Sequence, residues 1–115
     1  MNWRAIRLEL GSTRDFPAGS VSRAYLIRVP LDDSDIVDGT ALARSAKTAT
    51  VQRHWSTEAD QHGILVSSGS DWTIRCDGGC DRLLHLDGTP MRLGQQVSMV
   101  EPDGTVLPFK VASVR

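Results

Sequence analysis

The sequence has no excess of either charge. Thirteen Lys+Arg stand against 14 Asp+Glu in 115 residues, for a formal net charge of −1 at pH 7. Bulk charge therefore gives no argument for nucleic acid or anionic lipid as a partner. Long apolar runs are missing too: the longest, Ala24-Tyr25-Leu26-Ile27, is far short of a membrane span. The opening MNWRAIRLEL interleaves charged with apolar residues and reads as no secretory leader. Cysteines number two, which points to free thiols in a reducing compartment and hence to the cytoplasm. Aromatic residues make up 5% of the chain, leaving few platforms on which bases could stack. No stretch is low in complexity, so a disordered chain is not expected. The length suits one domain over 1–115 and excludes doubly wound enzymes and (β/α)₈ barrels.

What is present is a series of strand-length runs bounded by Gly, Asp, Ser and Pro. Residues 3–10 put Ile6, Leu8 and Leu10 on one face, with Arg7 and Glu9 on the other. Gly11–Ser20, with Pro17 and Gly19, reads as a loop. Residues 21–30 form a second strand, with Leu26 opposite Tyr25, Ile27 and Val29 and thus apolar residues on both faces. Strands are expected again at Thr48–Trp55, Gly63–Ser67, Trp72–Cys76, Leu83–Leu86, Thr89–Leu93, Gln95–Glu101 and Thr105–Val114. Ser68-Gly69-Ser70, Asp77-Gly78-Gly79, Asp87-Gly88 and Pro102-Asp103-Gly104 supply the turns between them. Pro108 points to an edge strand or a bulge on its ladder. Helix is expected at most as one short turn near 38–46, capped by Asp38. The fold class is all-β: a small antiparallel barrel or sandwich built largely from consecutive hairpins.

Several constellations carry definite chemistry. Cys76, Cys80 and His85, with His54 or His62, have the residue types of a zinc site at C-x₃-C spacing. Strand parity opposes it. The face holding Cys76 and Cys80 also holds Trp72, Ile74, Leu84 and Leu86, whereas His85 points away. The acidic run from Asp32 to Thr40 fails as a calcium loop, because Arg44 occupies the position that needs a bidentate carboxylate. Leu83–Thr89 resembles the nucleophile strand of haloacid dehalogenase-type phosphotransferases, but His85 stands where that strand needs its Asp. No Ser or Cys pairs with a histidine at a family spacing, so His54, His62 and His85 read as structural or surface residues.

Local charge is less even than the total. Residues 1–28 hold five Arg against Glu9 and Asp15, and Arg is the residue for forked contacts to phosphate or carboxylate. Arg7, Arg23 and Arg28 are the candidates for anion or nucleic-acid contact. The functional expectation is a cytoplasmic, non-catalytic binding or protein-interaction module with no cofactor. The alternative is a zinc- or nucleic-acid-binding barrel. The partner would be protein or nucleic acid, not membrane, and the chain a monomer or a homodimer paired through exposed strand edges.

Overall fold

Alternation of period two is what shapes this molecule, because it gives each strand one apolar face that only a closed or layered sheet can bury. In the computed structural model, residues 2–45, 47–68, 71–79, 81–86 and 88–115 are described, Ser68 by its backbone only. The strands are β1 (Asn2–Leu10), β2 (Ser20–Leu31), β3 (Thr50–Trp55), β4 (Gln61–Ser68), β5 (Asp71–Cys76), β6 (Arg82–His85), β7 (Gln96–Val100) and β8 (Val106–Val114). Each pairs antiparallel with the next, and β8 returns to pair with β1, closing an eight-stranded barrel. The choice between barrel and sandwich is thereby settled in favour of the barrel.

Closure also answers the expectation of exposed edges. Ile6 pairs with Val114 and Leu10 with Phe109, so β1 and β8 spend their outer ladders on each other. No edge of the described sheet is left for a second copy to extend. Pro108 is accommodated by geometry rather than by an edge. In an antiparallel ladder a residue's N–H and C=O point the same way, and the Pro108 carbonyl accepts from the Gly11 N–H at 2.9 Å. Its missing N–H therefore faces the point where β1 has already ended. The register irregularity in this pairing lies elsewhere, between Arg7 and Leu8.

The barrel interior is packed solid, as expected for eight strands. Ile6, Leu8, Ile27, Val29, Ile74, Leu84, Met99 and Phe109 are fully buried in it. One end is plugged by its own loops. Asp38 caps the one short helix among the described residues, α1 (Gly39–Arg44), its side chain accepting from the Ala41 N–H at 2.9 Å. Leu42 and Val37 pack on the core beneath it. The strand expected at Thr89–Leu93 is not one: β6 pairs directly with β7, Leu83 opposite Val100. Residues 88–95 form a second plugging loop instead. It buries Met91 and donates the Met91 N–H to the Asp35 carbonyl at 2.7 Å, while Arg92 reaches the Asp35 carboxylate at 3.0 Å. An apolar residue that packs inward from a loop looks the same in sequence as one that packs inward from a strand. Asp87 of the expected turn, and Gly69 and Ser70 of another, lie outside the described residues.

The other end, here called the mouth, carries the buried polar groups. Arg82 Nε donates to Glu101 at 2.6 Å, and Arg82 Nη1 to the Cys76 sulfur at 3.3 Å. Arg53 Nε donates to the Tyr25 hydroxyl at 3.3 Å and Nη1 to Glu58 at 3.3 Å. The Arg53 guanidinium also lies 4.1 Å from the Trp55 ring centre. Burial, reinforced by the nearby Glu101 carboxylate, pushes the Tyr25 phenol up to about 12. Its unfolded value is near 10, so above about pH 10 the unfolded chain releases a proton that the folded barrel keeps. Stability is then lost as pH rises from about 10 to 12, by roughly tenfold in the folding equilibrium per pH unit. Chemical unfolding at pH 9, 10 and 11 should show this fall, and Tyr25→Phe should flatten it. An equal fall in Tyr25→Phe would assign the loss to other groups.

Candidate functional site

Of the three arginines singled out from sequence, the fold brings two together and separates the third. Arg7 and Arg28 both point outward from the wall made by β1 and β2 and line one groove. Arg23 has the opposite parity to Arg28 and lies five residues nearer the start of β2, about 16 Å away, at the mouth. Arg7 is committed locally: its Nε sits 2.8 Å from Glu9, and its Nη2 donates to the Val21 carbonyl at 2.8 Å.

Arg28 is differently placed. The β1–β2 register sets it opposite Ala5, with Arg4 opposite Val29. Closure of the barrel adds residue 115, because Ala5 and Arg115 exchange both backbone hydrogen bonds, at 2.8 and 2.9 Å. The segment leading into β3 adds Lys47, whose ammonium stands 5.7 Å from the Trp3 ring centre. Trp3, Arg4, Arg28, Lys47 and Arg115 thus surround one groove of about 440 Å³ on the outer wall. Arg4, Arg28, Lys47 and Arg115 are all exposed. None has a carboxylate within ion-pair distance among the described residues, in contrast to Arg7, Arg53, Arg82 and Arg92. The groove adjoining it, with Arg7, shares Ala5, Arg28 and Arg115, so the cationic surface is continuous across the β1–β8 seam.

Chemically, this surface can hold an anion with forked guanidinium contacts from several directions. Trp3 gives it one half-buried indole against which a planar group can lie. Sequence reasoning named Arg28 but missed the set. The β1–β2 hairpin alone would not have added Arg4, because it pairs with Val29 and has the opposite parity to Arg28. Nor would it have added Lys47 and Arg115, since they arrive through a connecting segment and through closure.

Cys76 and His85 lie on opposite faces of the sheet, as their strand parity requires. Cys76 faces the interior and is buried. His85 faces outward from β6, its Nδ1 3.0 Å from Asp71 on the neighbouring strand. Cys80 lies outside the described residues. Among the described residues no group of three His, Cys, Asp or Glu side chains is gathered about one point. His54 and His62 also face outward, His62 opposite Gln52. His54 Nδ1 lies 2.9 Å from Asp60, and Gln52 Nε2 donates to the same carboxylate at 3.0 Å. Those two contacts hold the Asp60 carboxyl below the usual carboxylate range. Three of the four aspartates of the acidic run are already engaged. Asp32 accepts from the Ser34 and Ile36 N–H groups, Asp35 pairs with Arg92, and Asp38 caps α1.

No helix among the described residues is long and apolar enough to cross a membrane. Compared with protein-family models, with curated proteins and with solved structures, the chain matches none of them.

Proposed function

We propose that this barrel is a non-catalytic binding module whose outer wall around Trp3 takes single-stranded nucleic acid. One observation carries the reading. Four exposed cations with no carboxylate partner among the described residues meet around a half-buried indole, in a chain whose net charge is −1. Phosphates need such a cluster, because each neutralised contact releases a condensed counterion. A single-stranded ligand suits it better than a duplex, since the indole offers a base a face to stack on. The packed interior and plugged end leave the outer surface as the place for a large ligand.

The test is fluorescence anisotropy with a labelled 12-nucleotide single strand at low salt. Trp3→Ala should weaken binding about tenfold, the worth of one base stack. Arg28→Ala should weaken it about fivefold, near the 1 kcal/mol of one exposed ionic contact. Arg75→Ala is the control, because Arg75 is equally exposed but stands on β5, across the barrel from β1. Equal losses in all three variants would mean only diffuse attraction. Binding of an acidic peptide in preference to the oligonucleotide would replace nucleic acid with a protein partner on the same wall.

A further inference from the structure

The mouth holds a second groove, unrelated to the wall and of different chemistry. It has a volume of about 540 Å³ and runs between the 11–19 loop and the start of β8. That volume is within the range of small-molecule sites. Its base is apolar, built from Leu10, Trp55 and Leu107, with Phe16 forming one side.

The loop that shapes it is tied down rather than loose. Phe16 N–H donates to the Thr13 hydroxyl at 3.0 Å, and the Phe16 carbonyl accepts from both Thr13 and Gly19 N–H groups at 2.9 Å. Gly19 has φ +75, and a Cβ there would run into the Leu10 carbonyl, so this return is closed to other residues.

One cation is fixed inside the groove. The Arg23 guanidinium lies 4.2 Å from the Phe16 ring centre and 5.9 Å from that of Trp55. Among the described residues its guanidinium donates to the Ser20 hydroxyl at 3.3 Å. No carboxylate lies within ion-pair distance of it among the described residues. The lining also holds Arg14 and Asp15, which leaves it one positive charge in excess. An apolar, aromatic-walled groove with a stacked guanidinium is complementary to a flat apolar body carrying one anionic group.

We infer that the mouth groove is a binding site for a small aromatic carboxylate, the ring lying against Phe16 and Trp55 and the carboxylate on Arg23. Arg23 then serves this site and not the nucleic-acid wall. The two sites share no residue, so either can fail without the other.

The experiment is a ¹H–¹⁵N titration of the intact protein with 1-naphthoate, and in parallel with the neutral 1-naphthalenemethanol. Saturable shifts are expected at the Trp55 indole N–H and along residues 11–19, with the alcohol at least tenfold weaker. Arg23→Gln should lose naphthoate about tenfold or more, while Arg23→Lys should keep part of it. Val106→Glu places a negative charge at the exposed rim, away from the core, and should also weaken naphthoate but not the alcohol. Shifts outside the groove, equal affinity for acid and alcohol, or no saturation by 10 mM would each overturn the assignment.

Discussion

Arg82→Met is expected to lower the unfolding free energy by about 3–5 kcal/mol, the cost of breaking one side of a buried ion pair. Both partners are enclosed: the Arg82 side chain is 7% exposed and that of Glu101 is 12%. The substitution keeps the volume and the stem but removes the guanidinium 2.6 Å from the carboxylate. Glu101 then retains no cation within ion-pair distance among the described residues. Its other oxygen, Oε1, is buried and already has no hydrogen-bond partner among them. The loss is also expected not to be additive. Adding Glu101→Leu to Arg82→Met should return stability to within about 1 kcal/mol of the starting protein, because an apolar pair of similar volume avoids desolvating either charge. Urea unfolding of the two single variants and the double variant measures this directly. A double variant as unstable as the sum of the singles would mean that the pair is held by packing rather than by charge.

Gly63→Ala is expected to cost about 3 kcal/mol, at the upper end of the overpacking range. Gly63 sits within β4, opposite Cys76 of β5. A Cβ there would collide with the Arg75 carbonyl oxygen and press on the Cys76 Cα, both backbone atoms that cannot swing aside. The glycine marks a place where two strands approach too closely for any side chain. Gly78→Ala is the matched comparison. Gly78 has φ +94 but nothing within 4 Å of a built Cβ, so only the conformational strain remains, about 1–2 kcal/mol. If Gly78→Ala proved the more damaging of the two, the close approach of β4 and β5 would be wrong.

What was legible in the sequence was local. Pro102-Asp103-Gly104 announces a hairpin, and it forms one: Gly104 takes φ +88 and Asp103 accepts from the Thr105 N–H at 2.8 Å. The alternation in residues 3–10 gives the inward face of β1 residue by residue, and Asp38 marks the start of α1. Parity alone placed Cys76 inside and His85 outside. The remainder depends on partners distant in the chain. Closure joins β1 to β8 across almost the whole sequence, and no local pattern encodes it. Met91 looks like a strand residue because its burial comes from the loop folding beneath the barrel. Arg53 and Arg82 have inward parity, yet their charge argues for the surface. Tyr25, Glu58, Glu101 and Cys76, brought to them by neighbouring strands and turns, are the partners among the described residues that let them be buried. The same closure assembles the cationic wall, which is why Arg28 was visible in advance and its neighbour Arg115 was not.

The most direct test of the binding account is the salt dependence of single-strand affinity, measured from about 50 to 200 mM salt. Four cations without a carboxylate partner among the described residues, at roughly 0.7 counterions each, predict that log K falls against log salt concentration with a slope near −3. Removing Arg28 and Lys47 together should bring the slope to about −1.5. A slope near zero, or a slope unchanged by that double substitution, would contradict the assignment of this wall to nucleic acid.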